Sequence, residues 1–147
     1  MSRKIDFRAW FNDKMYWQEY CGGFSYFIEP TSCDQEEQDA FSLEEIFVWS
    51  KDGKCILQQN TGLTDSTGKE IYEGDILAYK NGNFLRGKDG FDDRLEVFWD
   101  NENSKFGINF FSKHGGEGYT GKSEHLCSYA KETQIIGNIF ETPELLV

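Results

Sequence analysis

The stretch Thr61-Gly-Leu-Thr-Asp-Ser-Thr-Gly-Lys-Glu-Ile-Tyr-Glu-Gly-Asp-Ile-Leu77 decides the fold class of this chain. It reads as turn chemistry feeding a strand. Asp65 to Gly68 make a polar turn with glycine where φ can be positive, and Gly74-Asp75 launches the apolar run from Ile76 to Tyr79. Nothing in it is by necessity a nucleophile, a base or a ligand. Glu70, Glu73 and Asp75 cluster here and are of the type that binds metals or moves protons. Short acidic side chains beside turn glycines also accept backbone amides, and that structural role is the expected one.

The same alternation of strand and turn runs outward in both directions. Lys4 to Phe11 and Lys14 to Tyr20 flank Asn12-Asp13, a two-residue connection tolerant of positive φ, so a hairpin is predicted at the amino end, and Phe24 to Ile28 extends it. Ser42-Leu-Glu-Glu45 has the form of a capping box and predicts a short helix from Leu43, whereas Ile46 to Trp49 is equally good strand sequence. Both readings stay open. Lys51 to Gly53 is a turn, Cys55 to Gln59 a strand, and Leu95 to Trp99 with Phe106 to Phe111 a hairpin across the polar turn 100–105. Residues 123–132 fit a strand or a short helix. Gln134 to Phe140 is the last predicted strand, followed by a turn at Thr142-Pro143 whose leucines clip onto the core.

The opening stretch, Ile135-Ile-Gly-Asn-Ile-Phe-Glu-Thr-Pro-Glu-Leu-Leu146, and the amino-terminal Ile5-Asp-Phe-Arg-Ala-Trp10 and Lys14-Met-Tyr16 together resemble the YopX family, small proteins carried by phages and prophages. Residues 17–56 and 80–134 match it loosely, and Asn60, Thr64 and Thr142 differ from the family's commonest residues. The resemblance implies a fold and brings no biochemical activity with it. The expected architecture is one all-β YopX-like domain over residues 1–147, with at most short helices, built as a barrel or as a pair of packed small sheets.

Composition agrees with such a domain. A chain of 147 residues is long enough to bury close to ~70% of its unfolded surface without metals or disulfides. Its 13 Phe, 7 Tyr and 4 Trp suit pleated, half-buried surfaces, so Trp10, Tyr16, Trp17, Phe24, Tyr26 and Phe27 are expected in the core rather than stacking bases. The net charge of −11 disfavours direct nucleic-acid binding, which depends on Lys and Arg displacing counterions. No run approaches the ~20 apolar residues of a membrane span, and no secretory signal pattern opens the chain, so the host cytoplasm is the expected location. The four cysteines, Cys21, Cys33, Cys55 and Cys127, lack paired spacing and are expected as free thiols there.

Between Lys14 and Lys51 there is no basic residue, while Glu19, Glu29, Asp34, Glu36, Glu37, Asp39, Glu44 and Glu45 all fall in that interval. Read blandly, this is a solvated loop that keeps the protein soluble. Read as a site, Glu29, Asp34, Glu36, Glu37, Asp39, Glu44 and Glu45 face a basic host or phage protein. Self-association stays open beside it.

Two further patterns compete. Gly116-Glu-Gly-Tyr-Thr-Gly-Lys-Ser123 matches the phosphate-binding pattern G-x-x-x-x-G-K-[ST], in which Gly116, Gly121, Lys122 and Ser123 would cradle and charge-neutralise a nucleotide. That chemistry needs a parallel strand before the loop, a helix after it and an acidic partner for magnesium, and the sequence around it offers none of these clearly. A flexible glycine loop is the plainer reading. His114, His125 and Cys127 have poor spacing for zinc, so neither a metal nor any other cofactor is expected.

Overall fold

The computed structural model describes residues 6–21, 24–28, 40–79, 93–112 and 124–146. In chain order these form β1 (Phe7–Phe11), β2 (Lys14–Cys21), β3 (Phe24–Ile28), β4 (Phe41–Ser42), α1 (Leu43–Lys51), β5 (Ile56–Thr64), β6 (Glu70–Tyr72), β7 (Asp75–Tyr79), β8 (Asp93–Asp100), β9 (Lys105–Ser112), β10 (Glu124–His125) and β11 (Thr133–Asn138). Short 3-10 turns follow β10 and close the chain at Pro143–Leu146. The strands lie in two antiparallel sheets, ordered β4-β3-β2-β1-β5-β6 and β10-β9-β8-β7-β11. The all-β expectation holds, as two open sheets rather than a closed barrel among the described residues. The chain groups into two compact units, Met1–Asn60 and Thr61–Val147.

In the first unit the amino-terminal hairpin turns on Asn12 and Asp13, both at positive φ (51° and 59°), the mirror-image turn whose twist matches paired strands. Alternation along β1 sends Phe7, Ala9 and Phe11 to one face and Arg8 and Trp10 to the other. The first face, with Tyr16, Phe27 and Leu57, packs on Ile46, Trp49 and Leu43 of α1 and on Cys55. Phe11 stacks on Trp49 with centroids 5.0 Å apart, and Phe41 meets Phe11 and Tyr16 edge-on at 5.7 and 5.3 Å. Trp10 and Trp17 are half-buried on the opposite face, and Tyr26 is 38% exposed, so not every aromatic expected in the core lies there.

On the opposite face sits a buried cation the sequence reading did not single out. Arg8 lies across from Trp17 on β2 and Gln58 on β5. Its Nε donates to Gln58 Oε1 at 2.7 Å, and its guanidinium lies 5.2 Å from the Trp17 ring centroid. Both contacts favour keeping the charge out of water.

The second unit has its own core of Ile71, Leu77, Leu95, Val97, Ile108, Leu126 and Ala130, built from cross-strand pairs such as Leu77 with Leu95 and Val97 with Ile108. The β8–β9 hairpin is the one the sequence predicts. Its turn is organised by Asp100, whose carboxylate accepts the Glu102 and Asn103 amides and the Asn103 side chain. The ambiguous segment 123–132 resolves as the two-residue β10 followed by 3-10 turns.

The last strand stops at Asn138, two residues short of its predicted end. Asn138 Oδ1 accepts the amides of Phe140 and Glu141, which bends the backbone out of the sheet. A bulge between Ile135 and Gly137 precedes the bend. A Cβ at Gly137 would overlap Thr142 Oγ1 and lie 2.9 Å from Leu145 Cδ1, so only glycine lets the carboxy-terminal turn fold back this closely.

Candidate functional site

The turn of the opening stretch is a clasp. Asp65 is buried, and its Oδ1 accepts the Thr67 amide at 2.8 Å, the Thr67 hydroxyl at 2.7 Å and the Lys69 amide at 3.0 Å. Its Oδ2 reaches 70 residues along the chain to accept the Ile135 amide of β11 at 2.9 Å. Burial by itself pushes this carboxyl up. The donors from Ile135, Thr67 and Lys69 outweigh that effect and hold it below the ordinary aspartate value. Next to it the Ser66 amide donates to the Thr133 carbonyl, so the outer edge of β11 is occupied by the turn. Sequence reading marks Asp65 as a turn former and misses its distant partner, for which no local signal exists.

The neighbouring carboxylates are also occupied structurally. Asp75 Oδ2 accepts the Tyr72 amide at 2.8 Å, the backbone-accepting role expected of it. Glu70 is exposed and Glu73 half-buried. No group of three or more His, Cys, Asp or Glu among the described residues is arranged to hold a metal ion. Cys127 is an exposed free thiol, while Cys55 is buried and donates to the Ile46 carbonyl at 3.3 Å, and burial raises its thiol above the ordinary range. Glu96 on β8 is half-buried; desolvation raises its carboxyl, and a hydrogen bond with Asn109 on the paired strand opposes the shift.

Of the acidic residues proposed to meet a partner, Glu29, Asp34, Glu36, Glu37 and Asp39 lie outside the described residues, as do Cys33, His114 and the glycine-rich segment with Gly116, Gly121, Lys122 and Ser123. Glu44 and Glu45 stand in the first turn of α1. Here the structure chooses the helix over the strand. Ser42 Oγ accepts the Glu45 amide at 3.2 Å while Glu45 Oε2 accepts the Ser42 amide at 3.1 Å, a reciprocal cap that satisfies donors a strand would have had to pair elsewhere. Glu45 is therefore engaged within the helix end, and Glu44 projects with its side chain exposed. One turn further on, Phe47 and Val48 are 38% and 55% exposed, and Phe47 meets Phe7 of β1 edge-on at 6.0 Å.

The flanks of the glycine-rich segment are described. β9 before it is antiparallel to both its neighbours, and β10 after it is a two-residue strand leading to a 3-10 turn. A phosphate-binding loop places its amides at the amino end of a helix directly after a parallel strand. Neither flank has that form. No helix among the described residues is long and apolar enough to cross a membrane.

No curated protein sequence matches this chain. Among solved structures it is similar to the crystal structure of protein EF1440 from Enterococcus faecalis, 23% identical over 99% of this chain and 100% of that one, with a TM-score of 0.48. The family model described as YopX protein matches residues 6–147, and the chain belongs to the YopX family.

Proposed function

We propose that this chain is a phage or prophage accessory protein that works in the host cytoplasm by protein contact, without catalysis, and meets a basic host or phage protein through the acidic interval 29–45. The observation that carries the reading is charge distribution. Thirty-six residues separate Lys14 from Lys51, all without a cation, and the chain carries −11 overall. Other acidic side chains, Asp65, Asp75 and Asp100, are spent on backbone amides of their own turns. Glu44 projects from the helix that ends the interval. The runner-up, nucleotide binding through Lys122 and Ser123, draws only on a sequence pattern whose described flanks lack the strand-loop-helix arrangement.

Affinity purification from host cells identifies partners, and the test is kinetic. Replacing Asp34, Glu36, Glu37 and Asp39 by their amides removes charge at nearly constant shape. Association with a basic partner is expected to slow and to lose its salt dependence, with thermal stability within about 1 kcal/mol of the parent. Equal association rates for variant and parent at low salt, or a captured partner of acidic character, would overturn the reading.

A further inference from the structure

Strand edges are ordinarily blunted with charge, proline or a covering segment, because an open row of amides and carbonyls pairs with other chains. β11 runs Thr-Gln-Ile-Ile-Gly-Asn from Thr133 to Asn138, with no charged residue and no proline, and Ile136 on it is exposed. Among the described residues it ends its sheet, paired on one side with β7. On its outer side the guard is the strap 64–69. The Ser66 amide donates to the Thr133 carbonyl at 2.8 Å, Asp65 Oδ2 accepts the Ile135 amide at 2.9 Å, and Lys131 Nζ donates to Thr64 Oγ1 at 2.6 Å. A carboxylate and one amide thus stand where a neighbouring strand would place a carbonyl and an amide. The closed strap also leaves the Ser66 hydroxyl buried without a hydrogen-bond partner among the described residues, a cost that opening removes.

The two groups that the strap covers complement themselves. In an antiparallel ladder, two residues that face each other without exchanging hydrogen bonds are flanked by two bonds, each from the amide one residue later to the carbonyl one residue earlier on the other strand. With a two-fold axis at Gln134, the Ile135 amide of each copy therefore meets the Thr133 carbonyl of the other. Gln134 is exposed and uncharged, so no like charges face each other at the centre. We propose that the outer edge of β11 is a latent contact for a second copy of this chain, gated by the strap, which occupies the same two groups. Strap and second copy compete. Asp65 holds the strap closed, and its release admits antiparallel pairing of β11 with β11 about Gln134, continuing the sheet from one copy into the other. The contact is isologous and closes at two copies. It does not depend on the acidic interval, and neither reading fails with the other.

The test places one new thiol at the axis of the full-length protein. Facing residues of this type have Cα atoms about 4.5 Å apart, within reach of a disulfide, whereas the two Glu132 positions lie four residues apart along the ladder, at ~14 Å, and are out of reach. Gln134→Cys combined with Asp65→Ala is expected to form a covalent dimer under diamide at least tenfold faster than Gln134→Cys alone. Glu132→Cys with Asp65→Ala is expected not to cross-link. Cys127 is exposed, so each rate is taken above that of the same background without the introduced thiol. Asp65→Asn retains an oxygen for the turn and is expected to raise the rate at least threefold, which carries the test if Asp65→Ala fails to fold. Exchange at the Ile135 amide, followed at low protein concentration, reports whether the strap has opened. Equal cross-linking in variant and parent backgrounds, cross-linking as fast through Glu132→Cys, or an open strap with no cross-link through Gln134→Cys would each overturn the inference. An Ile135 amide that exchanges no faster in either variant would overturn it as well, since the strap would then not be the gate.

Discussion

Removing the Asp65 carboxylate should loosen the second unit at the edge of its sheet, and the geometry sets how much. Asp65→Ala leaves four donors without their acceptor: the Thr67 amide and hydroxyl, the Lys69 amide and the Ile135 amide. Thr67 and Lys69 are exposed, so water replaces most of what the turn loses. The Ile135 amide lies in a strand against the core and is the costly one. A hydrogen bond to a charged acceptor is worth ~1.5–3 kcal/mol, and with about 1 kcal/mol from the turn the expected loss is roughly 2.5–4 kcal/mol. For a protein of this size that lowers the melting temperature by about 5–16 °C. Asp65→Asn is expected to be milder, near ~2–3 kcal/mol, because its oxygen can still serve the turn while its NH2 faces the Ile135 N–H.

Two assays separate this account from a loss of turn propensity alone. Hydrogen exchange at the Ile135 amide should accelerate in both variants relative to that of Leu77, which lies in the interior of the sheet. The acid side of the stability profile should also change. Asp65 sits below its ordinary value when folded, so its contribution is complete above an unfolded value near ~3.9 and is lost as pH falls through the lowered folded one. Glu96 is raised and acts in the opposite sense, its contribution present below about 4.3 and lost as pH rises through its folded value. Parent and Asp65→Asn share Glu96, so their difference isolates Asp65: the variant should lose less stability than the parent between pH 4 and about 2. An Asp65→Ala protein that melts within 2 °C of the parent, with the Ile135 amide equally protected, would refute the clasp.

Gly137→Ala should cost about 1–3 kcal/mol in urea unfolding because its methyl overlaps Thr142 Oγ1 and crowds Leu145. Adding Thr142→Ala should then cost clearly less than the sum of the single changes, and simple additivity would show that the carboxy-terminal turn does not press on the bulge. Mg-ATP and Mg-GTP should leave the melting temperature unchanged; a rise of several degrees that vanishes in Lys122→Ala would restore the nucleotide reading.

Local turn chemistry was legible and long-range pairing was not. Asn12-Asp13 announces its hairpin because two adjacent residues tolerant of positive φ permit little else between alternating strands. Ser42 and Glu45 announce a helix start, yet Ile46 to Trp49 argues equally for a strand, and propensity could not arbitrate. The helix prevails where the reciprocal cap joins the burial of Ile46 and Trp49 against β1. Arg8 carries no such signal: alternation places it opposite Phe7 and Ala9, and a single cation in a strand ordinarily points to solvent. Its burial depends on Gln58, fifty positions away. The acidic interval was legible as charge only, and the helix end that presents Glu44 beside Phe47 and Val48 required the fold.

Two of the sequence segments that carry the family resemblance turn out to meet. Asp65 and Ser66 hold Ile135 and Thr133, the Ile139 amide donates to the Gly74 carbonyl, and the Gly74 amide donates to Val97. Gly137 and Asn138 receive the carboxy-terminal turn through Thr142. Asp65, Ser66, Gly74, Asn138 and Thr142 are therefore occupied in joining strand ends within the second unit. A carboxylate that already accepts four hydrogen bonds is poorly placed to bind a metal or move a proton without loosening the sheet it holds. The resemblance thus rests on residues that build the fold, and function is better sought among side chains the fold leaves at the surface. In the first unit those include Glu44, Phe47, Val48 and Tyr20.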